Sequence, residues 1–164
     1  MTTRGAVSET LRDRIGAFLD AHTVLVLATA DEGGPWAAPL CYARDAGLRL
    51  YFLSDPSTRH CRALLRRAEV AGSVQEEASN WEEFAGLQFS GTASPLAEPE
   101  AGEVFSLYAA KFPFAASLIP HAGPHRFFRI TPRWLRLISN RCGLGVKEEL
   151  HLSEGERMTV RGYD

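Results

Sequence analysis

Apolar residues recur along the chain with two different periods, and together they predict a fold that mixes helices with strands. Leu11, Ile15 and Leu19 follow Ser8 at helical spacing, so 8–22 is predicted to be an amphipathic helix with Ser8 as its N-cap. Elsewhere, short apolar and β-branched runs are bounded by glycine, proline and aspartate, which is typical of strands. The predicted strands are 23–30, 35–44, 48–54, 68–75, 84–96 and 125–139.

The connections between these strands predict how the sheet is arranged. Because the turns at 31–34 and 45–47 are short, the first three strands are expected to form an antiparallel meander. Helices are predicted at 57–67 and 98–112, after the third and the fifth strand. The sequence therefore indicates one domain over 1–164, of the α+β class, built as a six-stranded antiparallel β-barrel with peripheral helices. Its ordered core is expected at about 8–150.

Two prolines and the end of the chain modify this pattern. Pro39 cannot donate to a strand ladder, so the strand at 35–44 is expected to have an edge or a bulge there. Pro132 is expected to interrupt the strand at 125–139. The glycines at 143–145 predict a tight turn, which is followed by a polar tail.

Composition narrows the class of protein. Of the 164 residues, 45% are apolar and 23% charged, with a net charge of −2, which favours a soluble globular protein over a nucleic-acid or membrane binder. The N-terminus lacks the apolar segment of a signal peptide. Three cysteines with wide, irregular spacing indicate reduced thiols, and the expected location is cytoplasmic. Cys61 is expected to be a packed thiol.

The segment 52–64, FLSDPSTRHCRAL, is the most informative stretch for function. A strand ends there and a helix begins at once, with Ser57 and Thr58 at its start, followed by Arg59 and His60. Unpaired N–H groups at a helix N-terminus, hydroxyl groups and a guanidinium together suit a phosphate group. An ordinary capped helix with a solvated basic face explains the same residues equally well.

The preceding strand strengthens the case for a ligand. Small side chains at 37–40, AAPL, leave the backbone accessible to a flat ring, although a tightly packed strand has the same composition. The order of AAPL, a turn, YFLS and then STRH resembles the pyridoxamine 5'-phosphate oxidase-like split-barrel flavoproteins over about 10–150. In detail the chain looks most similar to a small bacterial subgroup of uncharacterised proteins within them.

The resemblance implies a split barrel, and a homodimer with FMN sites at the subunit interface. It places 37–40 along the isoalloxazine ring, 52–54 near the ribityl phosphate, 58–60 as the phosphate triplet and Gln88 beside the flavin. Contacts from the partner subunit are expected around His125, Asn140 and Lys147. The implied cofactor-binding residues are Ala37, Ala38, Pro39, Leu40, Phe52, Leu53, Ser54, Thr58, Arg59, His60, Gln88, Asn140 and Lys147.

Two departures from the family pattern bear on activity. His60 stands where many members have lysine, and Ala37 stands where the oxidase itself has a basic residue near the ring. Oxidation of an anionic pyridoxamine phosphate is therefore disfavoured. The expected function is an FMN-dependent oxidoreductase that acts on a small-molecule substrate, and the sequence singles out no catalytic acid or base.

Several alternatives stay open at this stage. Deazaflavin could replace FMN, and a non-enzymatic flavin or haem binder is a second hypothesis, with His125 as the haem ligand because some split-barrel relatives handle haem. A structural homodimer without a cofactor is a third. His121 and His125 have Gly123 and Pro124 between them, so they are not expected to share a helical face or to form a metal site.

Overall fold

An antiparallel sheet carries the fold in the computed structural model, which describes residues 9–152 and 159–162. The strands are β1 (Val24–Asp31), β2 (Gly34–Arg44), β3 (Leu50–Ser54), β4 (Glu69–Gln75), β5 (Ala85–Pro95), β6 (Arg126–Ser139), β7 (Lys147–His151) and β8 (Thr159–Gly162). The helices are α1 (Leu11–Ala21), α2 (Arg59–Arg66), α3 (Glu98–Lys111) and α4 (Ala115–Leu118). Two short 3₁₀ turns follow α4 and β6, at Ile119–His121 and Asn140–Cys142.

The strands β1 to β6 close into a ring. Their order is β3-β2-β1-β4-β5-β6, and β3 also pairs with β6, so both ends of the row meet. The predicted α+β class and split-barrel architecture are confirmed, as are the meander β1–β3 and the helices after the third and fifth strands. The polar tail was not predicted to contain strands, yet β7 and β8 extend the sheet from β6.

Helix α1 begins later than predicted. Its N-cap is Thr10, whose hydroxyl accepts the Asp13 N–H at 3.1 Å, while the Asp13 carboxylate accepts the Thr10 N–H at 3.2 Å. This reciprocal capping box stabilises the first turn more fully than a single serine could. The expected N-cap, Ser8, lies outside the described residues. The apolar face is as predicted, because Leu11, Ile15 and Leu19 are buried against the barrel.

The two prolines have different outcomes. β2 pairs with β1 over 34–41 and with β3 over 42–44, so in the described residues the strand has an open edge at 34–41, including Pro39, as expected. β6 was expected to break at Pro132 and instead continues through it with a shift of register opposite 90–91. Gly91 permits this close approach, since a Cβ there would lie 2.1 Å from the Thr131 carbonyl oxygen.

Two apolar clusters lie on opposite sides of β3. The barrel interior forms the larger cluster and includes Phe52 and Phe128, whose rings stack with centroids 5.2 Å apart. The smaller cluster lies under α3, where Tyr108 and Phe112 pack against Phe127 and its neighbours. Because residues of β3 contribute to both clusters, the strand is fixed from both faces.

Lys111 ties the end of α3 to the end of α1. Its Nζ donates to the carbonyl oxygens of Leu19 at 2.9 Å and His22 at 2.6 Å, and it lies 4.1 Å from the centroid of the Tyr42 ring. Burial lowers the pKa of Lys111 to about 8. The ammonium group satisfies carbonyls that the helix leaves unpaired, so it acts as a C-terminal cap supplied by another helix.

The cysteines agree with the prediction of unpaired thiols. Cys61 is buried in the barrel core, whereas Cys41 and Cys142 are exposed. In the part of the chain that the structure describes, none of the helices combines the length and apolar character needed to cross a bilayer.

Candidate functional site

The junction between β3 and α2 is shaped by a turn centred on Asp55. Its carboxylate accepts the Ser57 N–H at 2.7 Å, and its carbonyl accepts the Thr58 N–H at 3.0 Å. These contacts with Ser57 hold the pKa of Asp55 below its usual range. Because Asp55 already accepts these two N–H groups, the amides that remain at the start of α2 belong to the residues that follow Thr58.

Helix α2 starts at Arg59 with Thr58 as its N-cap. The first amide to bond back is that of Arg62, which donates to the Thr58 carbonyl at 3.0 Å. The N–H groups of Arg59, His60 and Cys61 therefore have no intrahelical acceptor, as at any helix start. The Thr58 hydroxyl donates to the Asp55 carbonyl at 2.8 Å instead of capping the helix.

His60 points into the protein. Only 7% of it is exposed, and its Nε2 lies 2.8 Å from Ser54 Oγ and 3.2 Å from Thr58 Oγ1. Burial lowers the pKa of His60, so the neutral ring is favoured. His60 thus links the end of β3 to the helix, and its ring supplies no permanent charge to a phosphate.

Arg59 lies beside the β1–β2 turn. Its Nη2 is 3.4 Å from Asp31 Oδ1, and its guanidinium carbon is 4.5 Å from the centroid of the Trp36 ring. Gly33 lies at this contact, and a Cβ there would lie 2.9 Å from Nη2, so a larger residue would require the Arg59 side chain to shift. The guanidinium is therefore partly engaged by its own fold and one-third exposed.

The strand predicted to line a ring divides between two faces. Ala37 and Pro39 are exposed on the outer face of the sheet, whereas Ala38 is buried and Leu40 packs against the barrel core. The open edge of β2 at 34–41 leaves backbone groups without a strand partner among the described residues. A flat group could lie along this edge and meet short side chains.

The strand pairing brings Gln88 onto the same outer face as Pro39. Directly opposed residues of neighbouring strands point to the same side. The pairing gives a row across the sheet that includes both predicted residues, running through Pro39, Val26, Ser73, Gln88, Arg136 and Glu149. Gln88 is exposed, so it is available to a ligand or a partner on that face.

The predicted residues near the end of β3 lie largely inside the protein. Phe52 is fully buried in the barrel core, and Leu53 packs against the cluster under α3. Ser54 is buried and bonded to His60. The Phe52 side chain cannot reach a ligand outside the core, so β3 can offer backbone groups at its end and the half-buried Leu53.

Of the residues expected to contact the partner subunit, Asn140 and Lys147 lie at the far end of β6, whereas His125 precedes Arg126, which pairs with Ser54 beside the α2 corner. The Asn140 side chain donates to the Trp81 carbonyl at 2.7 Å and accepts the Gly145 N–H at 2.8 Å, joining two loops. Lys147 is exposed at the start of β7, and His125 is exposed before β6. Within a single chain, Asn140 and Lys147 do not lie at the α2 corner.

Three residues of the α2 corner were not predicted from the sequence. Asp31 was treated as part of a turn and Trp36 as part of a strand, and both contact Arg59. Thr29 pairs opposite Trp36 and has a buried hydroxyl oxygen with no hydrogen-bond partner in the described residues. The sequence feature that could have indicated the role of Asp31 is its position at the start of the turn 31–34. A tight hairpin can bring an acidic side chain there against a neighbouring element.

The sequence of this chain is similar to those of known proteins. The sequence profile of a family described as pyridoxamine 5'-phosphate oxidase matches residues 11–139. The UPF0306 protein YhbP of Salmonella paratyphi C is 31% identical over 134 residues, which cover 81% of this chain and 88% of that protein.

Solved structures share the fold. The haem-binding protein of Mycobacterium smegmatis matches with a TM-score of 0.70 and 15% identity, over 96% of this chain and 60% of that one. A FAD-binding protein of Mesorhizobium loti matches with a TM-score of 0.61 and 22% identity, over 74% and 87% of the two chains. At these identities the likeness concerns the fold.

The buried state of His60 predicts a pH effect on stability. The pKa of His60 is lower in the folded protein than in the unfolded chain. At pH values between these two pKa values, the unfolded chain therefore binds more protons than the folded protein. The stability that neutral His60 contributes is present above about pH 6.5 and is lost as the pH falls. At pH 7, His60→Gln should lower the free energy of unfolding by about 1–3 kcal/mol, as for a disturbed buried hydrogen bond.

Urea unfolding of both proteins between pH 5 and 8 measures this effect. The difference between wild type and His60→Gln should shrink as the pH falls below about 6.5. A difference that stays constant over the whole range contradicts the assignment of His60 as a buried neutral ring.

Proposed function

The chain belongs to the pyridoxamine 5'-phosphate oxidase family and to the UPF0306 proteins, and on this premise we propose that it is an FMN-binding, flavin-dependent oxidoreductase. The observation that carries the proposal is the open edge of β2 beside the start of α2. Arg59 bridges these two elements, since it begins α2 and contacts Trp36 of β2. A ring along the edge and a phosphate at the helix start would use both features.

The residues of the corner fit the phosphate end of such a ligand. The N–H groups of Arg59 and His60 face no intrahelical acceptor, and Asp31 engages the guanidinium of Arg59 through one long contact. Thr58 would add its hydroxyl oxygen. Because Arg59 is one-third exposed, its remaining donors can reach a ligand without unfolding the corner.

The other predicted residues would orient the ring. Residues 37–40 would line it with short side chains, and the backbone at 53–54 would lie beside the ribityl chain. Gln88 lies on the same outer face as Pro39, three strands along the sheet. When bound, FMN supplies a ring that accepts and returns a hydride. The β2 stretch at 37–40 has no basic side chain for an anionic substrate, so oxidation of pyridoxamine phosphate is not part of the proposal.

The proposal includes a homodimer with cofactor sites at its interface. The outer face of β1, β2 and β4 is mostly apolar and small, and it includes Val24, Ala28, Ala37, Pro39 and Ala71. Val24 is 45% exposed in the single chain. A second copy packed on this face would bury it and would bring groups such as Asn140 or Lys147 toward the partner's ring.

Flavin binding is tested by titrating FMN against the purified protein and following the quenching of flavin fluorescence. We expect a dissociation constant in the low-micromolar range or tighter. Arg59→Ala should weaken binding by about 1.5–3 kcal/mol, because it removes charge-assisted hydrogen bonds to the phosphate. The matched control is Arg66→Ala, which removes the same side chain from the last turn of α2 and should leave the affinity unchanged.

Two results would contradict this proposal in different ways. Equal affinities of wild type and Arg59→Ala would remove the phosphate site from the α2 corner. No FMN binding by wild type would remove the flavin function and favour a homodimer without a cofactor.

The dimer is tested by sedimentation velocity. Wild type should sediment with twice the chain mass of 18.0 kDa. Val24→Lys should shift the protein toward the single-chain mass, because a charge would be buried in an apolar contact. Leu65→Lys on the exposed side of α2 serves as the control for an added surface charge. A dimer unaffected by Val24→Lys places the interface elsewhere.

Haem is the second candidate ligand, favoured by the similarity to the haem-binding protein of Mycobacterium smegmatis. His125 Nδ1 contacts the Ala122 carbonyl oxygen, an arrangement that orients a ligating histidine and leaves Nε2 for iron. If haem is the ligand, adding it should produce a Soret band that His125→Ala abolishes and His121→Ala keeps. Absence of a Soret shift in wild type excludes this candidate.

A further inference from the structure

Three residues of the β1–β2 hairpin lie beside Arg59, which remains one-third exposed. The Asp31 carboxylate lies at its Nη2, the Trp36 ring stacks on its guanidinium, and a Cβ at Gly33 would lie 2.9 Å from the same nitrogen. Asp31 lies 28 positions before Arg59 in the chain, so this contact joins two separate segments. The group best suited to bind a phosphate already has an internal anion beside it.

The contact between Arg59 and Asp31 is weak enough to be displaced. The distance of 3.4 Å is long for a charge-assisted hydrogen bond, and it uses one of the five N–H donors of the guanidinium. The Arg59 and Asp31 side chains are 33% and 19% exposed, so water screens the attraction in part. A phosphate, which accepts two parallel hydrogen bonds, can compete for the same fork.

Asp31 would remain in place after Arg59 is released. Its Oδ1 also accepts the Gly33 N–H at 2.8 Å, a bond within the turn that does not depend on Arg59. The freed carboxylate would then stand near an incoming phosphate, and like charges repel. Its effect on a phosphorylated ligand is therefore unfavourable both before and after displacement.

Resting on the proposed function, we infer that Asp31 competes with the ligand's phosphate for Arg59 and thereby sets how tightly this site holds phosphorylated flavin. When FMN binds, its phosphate replaces the Asp31 carboxylate as the anion beside Arg59. The consequence is selective, because riboflavin has the same ring and no phosphate. Asp31 therefore lowers the preference for FMN over riboflavin without touching the ring.

A purely structural role for the ion pair makes a different prediction. If Asp31 only clips the hairpin to α2, removing its charge loosens the corner and weakens FMN and riboflavin alike. If Asp31 competes, removing its charge strengthens FMN alone. The ratio of the two dissociation constants separates these roles, since a general loosening does not move it.

The experiment measures FMN and riboflavin dissociation constants for wild type, Asp31→Asn, Glu32→Gln, Arg59→Ala and the double variant Asp31→Asn/Arg59→Ala. Asparagine keeps an oxygen for the Gly33 N–H, so the turn is preserved. We expect Asp31→Asn to bind FMN about three- to tenfold more tightly, with riboflavin unchanged within about twofold. Glu32→Gln removes an exposed charge from the same turn and should match wild type.

The double variant tests whether the effect passes through Arg59. Asp31→Asn should strengthen FMN binding less in the Arg59→Ala background than in wild type, because only the direct repulsion of the phosphate then remains. An equal gain with and without Arg59, or an Asp31→Asn variant that binds FMN equally or more weakly while wild type binds it, overturns the competition and leaves the flavin proposal standing. Failure of wild type and Asp31→Asn to bind either flavin overturns both.

Discussion

The fold depends on β3 pairing with two strands at once. Its five residues pair with β6 along their whole length and with β2 over the first three, which closes the ring. Because β3 is short, it cannot also cover the open edge of β2 at 34–41. The Asp-Pro sequence that follows Ser54 ends the strand and turns the chain into α2. The closed barrel, the open edge and the helix start all follow from this one strand.

Much of this architecture could be predicted from the sequence because it rests on local patterns. Alternation of apolar residues and short turns located the meander, and the position of Pro39 at an open edge followed from its missing N–H. β7 and β8 were not predicted, because charged residues such as Glu148 and Glu149 interrupt the apolar alternation that indicates a strand. Their carboxylates are paired with Arg14 and Arg136, contacts that arise only after folding.

The candidate site was predicted less completely, for a physical reason. The helix start and its basic residues are neighbours in sequence, so 58–60 could be singled out. The anion beside Arg59 comes from a distant hairpin, and the direction of the His60 ring depends on where the barrel core lies. Sequence spacing indicates which groups can meet a ligand, but not which groups they already meet within the protein. Gln88 and Pro39 share a face through the register of three intervening pairings.

The family resemblance is confirmed by the sequence profile, and the structure adds the arrangement of charges at the corner. The Asp55 carboxylate accepts the Ser57 N–H, and the Asp31 carboxylate lies beside the Arg59 guanidinium. Two carboxylates therefore lie where an anionic group would bind. Neutral His60 adds no compensating charge. The charges of Arg59, Asp31 and Asp55 therefore sum to −1 before any ligand binds, so the attraction of Arg59 for an incoming anion is opposed by both carboxylates.

Lysine occurs twice in this chain, at Lys111 and Lys147, while arginine supplies the rest of the basic side chains. Lys147 is exposed at the rim of the sheet, and Lys111 is held between α1 and α3 with a lowered pKa. A neutral amine is the form that reacts with acylating reagents, so the lowered pKa favours acylation of Lys111. The contacts of its Nζ with the carbonyls of Leu19 and His22 limit the access of a reagent. Its rate of acylation relative to Lys147 would report how often the two helices separate.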